Sequence, residues 1–220
     1  MLLCYVTDRQ SLAATESGEP RKALLLRIEG AAAAGVDWIQ IREKDLSGRD
    51  CASLTREALQ RAAKSQAGRA ARTRIIVNDR LDVALTENAD GVHLGEKSLP
   101  VAEAKRLVVD RGARNNFVIG VSCHSLEAAR SAARDGADYL FFGPVFATPS
   151  KAAFGAPQGL ERLATVCRAV SIPVLAIGGI TLEKASACLA AGASGIAAIR
   201  LFQDAQDISS LAQSLRKLAG

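Results

Sequence analysis

Residues 136–144, with the sequence GADYLFFGP, decide the fold because they join the end of a helix to a buried strand. The glycine can adopt the left-handed backbone that closes a helix, and the apolar run after it suits a strand covered on both faces. The pattern returns at residues 35–43 (GVDWIQIRE), 88–96 (NADGVHLGE) and 192–200 (GASGIAAIR). The repeat predicts four helix-to-strand junctions of one kind.

Four more apolar runs lie between these copies, at residues 3–7, 74–77, 118–121 and 173–177. Segments with apolar residues three or four apart predict helices, as at residues 100–110, 125–135, 160–169 and 182–191. Eight strands alternating with helices predict an α/β fold, a single (β/α)8 TIM barrel over residues 1–220, since parallel strands need helical crossovers. The alternative is an open doubly wound sheet, which usually has a Gly-rich turn where this chain has Thr7-Asp8-Arg9.

Composition limits the classes of function. The chain has 220 residues, of which 49% are hydrophobic and 23% charged, as suits one compact domain. The net charge of +5 is scattered, without a basic stripe interleaved with aromatics, so no nucleic-acid partner is expected. No apolar run reaches the ~18 residues of a membrane span, so no membrane partner is expected either.

The cysteines bear on the compartment of the protein, and a polar stretch near the N-terminus bears on its mobility. The five cysteines have no metal-like spacing and no signal peptide precedes them, which predicts a cytoplasmic protein. Residues 9–22 form a polar stretch that is long for a loop, and we expect a mobile segment over one end of the barrel. Homo-oligomer formation stays open.

The ends of the predicted strands carry the chemistry, because a parallel barrel places its active site there. After the second strand begins, Gln40, Arg42 and Lys44 alternate with isoleucines, and this period-two pattern points the polar side chains to the interior. Cations in a barrel mouth need an anion, which predicts a bound polyanion. The alternative is a rim ion network in which Glu43 and helix carboxylates neutralise them.

The third strand ends in Asn78-Asp79-Arg80. Oxygen ligands of this kind suit Mg²⁺ that also contacts phosphate, so Asp79 is the predicted metal ligand. The alternative is that Asp79 caps the helix that begins near Leu81.

Two later turns are candidate phosphate sites. Residues 143–151 (GPVFATPSK) combine hydroxyls with a terminal lysine, although an ordinary surface turn is the alternative. The seventh strand ends in Gly178-Gly179, which would let backbone approach a ligand where this fold often binds phosphate.

Three side chains near strand ends are ambiguous. His124 could move a proton, whereas His93 is at least as well explained by packing inside the barrel. Cys123 lies beside Ser122 and could be a nucleophile, but a small residue at a strand end is the commoner explanation.

Seven motifs occur in order at these strand ends: YVTD (5–8), QIREK (40–44), NDR (78–80), ADGVHLG (89–95), IGVS (119–122), the segment from Gly143-Pro144 to Lys151, and AIGGI (176–180). Together they resemble the thiamine-phosphate synthase family, with the thiazole tautomerases as close relatives. The resemblance implies a Mg²⁺-dependent transferase that condenses hydroxymethylpyrimidine diphosphate with a thiazole phosphate, releasing pyrophosphate.

The resemblance also implies site residues. Catalytic roles fall to Arg42, Lys44, Ser122 and Lys151, and Mg²⁺ to Asp79. Substrate contacts fall to Gln40, Ile41, Arg42, Glu43, Lys44, Asn78, Ser122, Thr148, Pro149, Ser150, Lys151, Gly179, Ile199 and Arg200.

The chain departs from the family pattern at two positions. Ser98 stands where a second metal-binding aspartate is usual, and Arg200 stands where a small hydroxyl residue is usual. Ser98 and His124 motivate a second hypothesis, a metal-independent thiazole phosphate tautomerase. A third is a non-catalytic barrel that binds a phosphorylated ligand.

Overall fold

The computed structural model describes residues 1–13, 19–66, 72–148 and 156–218. Within them, eight parallel strands close into a barrel in chain order, and the last strand pairs with the first. The strands are β1 (Leu2–Val6), β2 (Trp38–Ile41), β3 (Arg74–Asn78), β4 (Gly91–Leu94), β5 (Val118–Cys123), β6 (Tyr139–Phe142), β7 (Val174–Ile177) and β8 (Gly195–Ala198).

Helices connect the strands and cover the outside of the barrel. They are α1 (Arg9–Ala13), α2 (Pro20–Ala33), α3 (Gly48–Ser65), α4 (Leu81–Thr86), α5 (Val101–Asp110), α6 (Leu126–Arg134), α7 (Gly159–Ala169), α8 (Leu182–Ala190), α9 (Arg200–Gln203) and α10 (Ile208–Lys217). None of the helices in the described ranges has the length and apolar character needed to cross a membrane.

The eight predicted strands and the TIM barrel are confirmed. At the four repeat junctions, the predicted left-handed residues have φ of 80° (Gly35), 53° (Asn88), 91° (Gly136) and 97° (Gly192). The prediction of a loop over residues 9–22 is wrong at both ends, since residues 9–13 form α1 and Pro20 opens α2. Residues 14–18 lie outside the described residues.

The structure explains why the repeat contains an acidic residue. Three of its copies carry an aspartate two residues after the left-handed position: Asp37, Asp90 and Asp138. Each Oδ2 accepts a backbone hydrogen bond from the preceding strand: Leu3 N at 2.7 Å for Asp37, Ile75 N at 2.9 Å for Asp90, and Ile119 N at 2.7 Å for Asp138. These aspartates therefore join the starts of paired strands β1–β2, β3–β4 and β5–β6.

The apolar core has two layers. One lies between the strands and the helices, and the other fills the barrel itself. The inner layer contains Trp38, whose ring lies 4.5 Å from that of Tyr139, centroid to centroid. The inner layer consists of Cys4, Val6, Trp38, Ile76, Tyr139, Phe141, Leu175 and Ala197. It closes the interior, so polar side chains farther along the strands face the mouth at the carboxyl ends.

Candidate active site

Amide side chains link the ends of β2 and β3. Gln40, which is buried, donates from Nε2 to Asn78 Oδ1 at 2.9 Å. Asn78 in turn donates from Nδ2 to Asp79 Oδ2 at 2.8 Å. Gln40 lies two residues beyond Trp38, on the same inward face of β2. The structure thus brings these three predicted site residues into one hydrogen-bonded chain.

Asp79 adopts a left-handed backbone, with φ of 59°, immediately after β3. Its Oδ1 accepts a hydrogen bond from Gly95 N at 3.0 Å and another from the Ser98 hydroxyl. The N-cap position of α4 is Arg80, and no side chain caps that helix, so the alternative of Asp79 as a helix cap is wrong. Asp79 instead connects the ends of β3 and β4.

The hydrogen bonds to Asp79 favour its ionised form. Partial burial raises the pKa of this carboxyl, but the bonds from Ser98, Gly95 and Asn78, together with the charge of Lys44, outweigh burial and lower the pKa below its usual value. Ser98 is therefore a donor to Asp79, and its hydroxyl oxygen also accepts from Gly95 N at 2.9 Å.

Arg42 and Lys44 lie just beyond the end of β2, which stops at Ile41. The period-two argument from the sequence therefore applies within the strand to Gln40 only. Among the described residues, neither cation forms an ion pair with a carboxylate. Lys44 acts electrostatically on Asp79, and Arg42 on His93, so both charges lie beside the cluster.

Glu43 does not neutralise its two cationic neighbours. Its buried carboxylate accepts from Thr7 Oγ1 at 2.6 Å and pairs with Arg9, whose Nη1 lies 3.1 Å from Oε2. Arg9 also pairs with Asp45. The rim network exists, but it fixes α1 to the β2 loop and leaves Arg42 and Lys44 out. Substrate contacts predicted for Glu43 and for Ile41, whose side chain is buried, would have to come from their main chains.

A second hydrogen-bonded chain crosses from β4 to β6. His93 lies in the interior and contacts Tyr139 OH through Nδ1 at 3.1 Å and Ser122 Oγ through Nε2 at 2.9 Å. Burial lowers the pKa of His93 to about 3. The charge of Asp79 raises this pKa by a smaller amount, and the charge of Arg42 lowers it further. His93 is thus a neutral, packed residue, as its alternation with Val92 and Leu94 indicated.

The two glycines after β7 serve packing between loops. A Cβ on Gly178 would lie 2.6 Å from Pro144 Cα, and one on Gly179 would lie 2.6 Å from Ala147 O. The β7 end approaches the segment after β6, where Phe146 N donates to Gly178 O at 3.0 Å. The sequence predicted that a ligand would lie close to the backbone of these glycines, but the backbone of the segment after β6 lies there instead.

The remaining predicted phosphate residues are only partly described. Thr148 is half-buried at the end of the segment after β6, whereas Pro149, Ser150 and Lys151 lie outside the described residues. Ile199 is half-buried after β8, and Arg200 is exposed at the start of α9.

The end of β5 contains the other ambiguous residues. His124 contacts the Gly143 carbonyl through Nδ1, and its backbone N–H donates to Glu96 Oε1 at 2.9 Å. Burial raises the pKa of the Cys123 thiol to about 12, which argues against a thiolate nucleophile and supports packing.

Comparison with known proteins agrees with this geometry. The family model for thiamine monophosphate synthase matches residues 3–202. The chain belongs to the thiamine monophosphate synthase family. The thiamine-phosphate synthase of Chloroflexus aurantiacus is 41% identical over 220 residues, covering 99% of this chain and 96% of the relative. That of Methanoculleus marisnigri is 46% identical over 186 residues, covering 84% of this chain and 83% of the relative.

A solved structure gives the same result. Thiamine phosphate pyrophosphorylase from Pyrococcus furiosus superposes with a TM-score of 0.80 at 33% sequence identity, covering 99% of this chain and 94% of that one. The barrel of the thiamine monophosphate synthase family is therefore the frame on which the strand-end residues are arranged.

One cavity of about 440 Å³ lies elsewhere, on the outer surface between α2 and the start of α10. Its walls include Leu26, Arg27 and Ile208. None of the site residues predicted for this family member lines it. We place the active site at the strand ends because polar side chains lie together there, with two cations that form no ion pair within the described part of the chain.

Sequence reasoning missed Tyr139, Thr7 and Arg9. Tyr139 lies in the apolar run of residues 136–144 and faces the barrel interior. Its hydroxyl, near the polar strand ends, was the only sign in the sequence that it could form a hydrogen bond there. In the sequence, Thr7 belongs to the YVTD motif and to the turn that lacks glycine, and Arg9 belongs to the same turn, but neither residue had a predicted role.

Proposed function

We propose that this protein is a thiamine-phosphate synthase that joins hydroxymethylpyrimidine diphosphate to a thiazole phosphate and releases pyrophosphate. The observation that carries the proposal is the pair of cations, Arg42 and Lys44, that lack a carboxylate partner among the described residues. Arg42 is half-buried and Lys44 is exposed. A half-buried cation is stabilised by an anion, and a diphosphate would supply one. Family membership and the 41% identical synthase support the same substrates.

The two substrates would occupy different strand ends. Gln40, Arg42, Lys44, Asn78 and Ser122, joined by Lys151, would hold the pyrimidine diphosphate. Thr148, Pro149, Ser150 and Gly179, with the backbone of Ile199 and Arg200, would receive the thiazole phosphate. Backbone amides and hydroxyls are suitable donors for the second site.

The residues favour departure of the leaving group before attack. The C–O bond between the pyrimidine methylene and the diphosphate breaks, and both electrons leave with pyrophosphate. The lone pair of the thiazole nitrogen then forms the new C–N bond to the pyrimidine cation. Stabilising the leaving charge is the main requirement, and preorganised cations such as Arg42 and Lys44 meet it. His93 is a weak base because burial lowers its pKa to about 3, and Cys123 is a poor nucleophile because burial raises the pKa of its thiol to about 12.

Mg²⁺ would be held by Asp79, and when bound it would neutralise charge on the diphosphate oxygens. Support for this assignment comes from the ionised Asp79 carboxylate beside the cationic loop. Asp79 Oδ1 already accepts two hydrogen bonds and Oδ2 accepts one, so few lone pairs are left for an ion. Among the described side chains, no group of three or more His, Cys, Asp or Glu residues could hold a metal. Most ligands would therefore be diphosphate oxygens and water.

We also place the reaction in the cytoplasm. The five cysteines all lie within the described ranges and are unbridged, as expected where thiols stay reduced.

Removal of the mouth cations tests the proposal. We expect Arg42→Ala and Lys44→Ala to lower the rate of thiamine phosphate formation by roughly 10² to 10³, because each removes a preorganised charge beside the leaving group. Arg130→Ala, which removes an exposed cation from α6, is the control and should leave the rate unchanged. Equal rates for Arg42→Ala and the parent would contradict this placement of the diphosphate.

The tautomerase alternative rests on His124, whose Nδ1–H donates to the Gly143 carbonyl, so that Nε2 would be the ring atom that accepts and releases the proton. It predicts isomerisation of the thiazole phosphate in EDTA that disappears in His124→Ala. A protein that only binds ligand would gain thermal stability with either substrate and turn over neither.

A further inference from the structure

Tyr139 presents a single hydroxyl to the inside of the barrel. Its ring packs between Trp38, at 4.5 Å, and Phe141, at 5.5 Å, centroid to centroid. Gly120 faces it on the neighbouring strand, and a Cβ there would overlap the phenol ring. The missing side chain lets the phenol reach across β5 to His93 on β4. Among the described residues, the Tyr139 hydroxyl has one hydrogen-bond partner, His93 Nδ1 at 3.1 Å.

We infer that Tyr139 fixes the direction of the hydrogen bonds through His93, so that Ser122 offers its hydroxyl proton to an anionic ligand at the barrel mouth. The phenol proton has no other acceptor among the described groups. If Nδ1 carried the proton, the phenol would only accept, and its own proton would be left unpaired in an apolar interior. An unpaired buried donor costs about 1–3 kcal/mol, so the phenol donates and Nδ1 accepts.

The proton of the neutral imidazole must then lie on Nε2. Both side chains are only 1% exposed, and neither contacts a carboxylate side chain among the described residues, so both rings are neutral. Nε2–H therefore donates to Ser122 Oγ across 2.9 Å. The same hydroxyl cannot donate back, so its proton points elsewhere, and no acceptor for it occurs in the described part of the chain.

This polarity decides what Ser122 can bind. Ser122 is half-buried near the end of β5. As a donor it favours phosphate oxygen, whereas the reverse polarity would direct oxygen lone pairs at an anion and repel it. His93 and Tyr139 are thus positioning residues that act through Ser122. The ligand half of this inference rests on the proposed function, since it takes the anion to be the diphosphate.

The imidazole tautomer can be measured directly by ¹⁵N NMR of histidine-labelled protein at neutral pH. The chain has two histidines, so His124→Gln assigns the signals. We expect His93 as the Nε2–H tautomer, with Nδ1 shifted by the hydrogen bond from Tyr139. Tyr139→Phe, which keeps the ring, should remove that Nδ1 shift. A protonated Nδ1 in the parent protein would overturn the inference.

Binding of inorganic pyrophosphate with MgCl₂, measured by calorimetry, tests the action through Ser122. Ser122→Ala should weaken binding by about tenfold or more, as expected for a hydrogen bond to a charged group. His93→Leu should weaken it in the parent but have no further effect in Ser122→Ala. If the losses of binding free energy caused by His93→Leu and Ser122→Ala were fully additive, the positioning role of His93 would be overturned. If the parent neither bound pyrophosphate nor turned over the substrates, both the proposed function and the assignment of Ser122 to the diphosphate would be overturned. The NMR measurement of the His93 tautomer would still test the direction of the hydrogen bonds.

Discussion

Ser98 stands where the resemblance to the family implies a second metal-binding aspartate. Its hydroxyl donates to Asp79 and so supports the ionised carboxylate, but it adds no negative charge. A divalent ion at Asp79 would therefore depend on oxygens brought by the diphosphate. A contact between Ser98 itself and a metal ion is untested.

Substituting Ser98 tests this dependence. In Ser98→Asp we expect half-maximal activity at a severalfold lower Mg²⁺ concentration, because a second carboxylate would share the ion. Ser98→Asn adds polarity without charge and is the matched control. The check is the Mg²⁺ dependence of thiamine phosphate formation. The same Mg²⁺ requirement in Ser98→Asp and Ser98→Asn would count against a metal at Asp79.

His93 makes stability depend on pH. Its pKa is lowered from 6.5 to about 3 in the folded protein, so between these values the unfolded chain binds a proton that the native state does not. Stability is therefore lost as pH falls through this window, by up to ~1.4 kcal/mol per unit from this residue. Urea unfolding from pH 7 to 4.5 should give a shallower loss for His93→Gln than for the parent. Parallel slopes would show that His93 is not buried as described.

At the scale of elements, the sequence predicted the strands and most helices because four of the eight apolar runs follow a left-handed junction and the other four lie between them. It also placed Gln40, Asn78 and Asp79 at strand ends, and these ends lie together in a parallel barrel. It did not predict the link from Tyr139 to His93, because that depends on the stagger between strands and on space above Gly120. The helix at residues 9–13 was missed because its contacts are long-range, such as the pair between Arg9 and Glu43, and leave no local pattern in the sequence.

The approach of the β7 end to the segment after β6 gives a prediction at this scale. Gly179 has φ of 66°, and an added Cβ would lie 2.6 Å from Ala147 O. Gly179→Ala should displace this segment and raise the KM for the thiazole phosphate. Gly112→Ala is the control, since Gly112 has φ of 59° but open space around it, and should cost only the ~1–2 kcal/mol of a left-handed alanine. An unchanged KM in Gly179→Ala would exclude this segment from the thiazole site.

For the whole molecule, the barrel separates stability from chemistry. The aspartates at the strand starts and the inner apolar layer fix the frame. The strand ends collect amides, a serine, a carboxylate and two cations that have no carboxylate partner among the described residues. This distribution, with the match to the family over residues 3–202, is the basis for assigning synthesis to this protein.

Turnover by the purified parent protein tests that assignment most directly. Incubation with hydroxymethylpyrimidine diphosphate, thiazole phosphate and Mg²⁺ should yield thiamine phosphate and pyrophosphate in equal amounts, with neither product when one substrate is omitted. Thiamine phosphate and pyrophosphate can be quantified in the same reaction by chromatography and by a coupled phosphate assay. Absence of thiamine phosphate from a folded protein supplied with both substrates and Mg²⁺ would contradict the account.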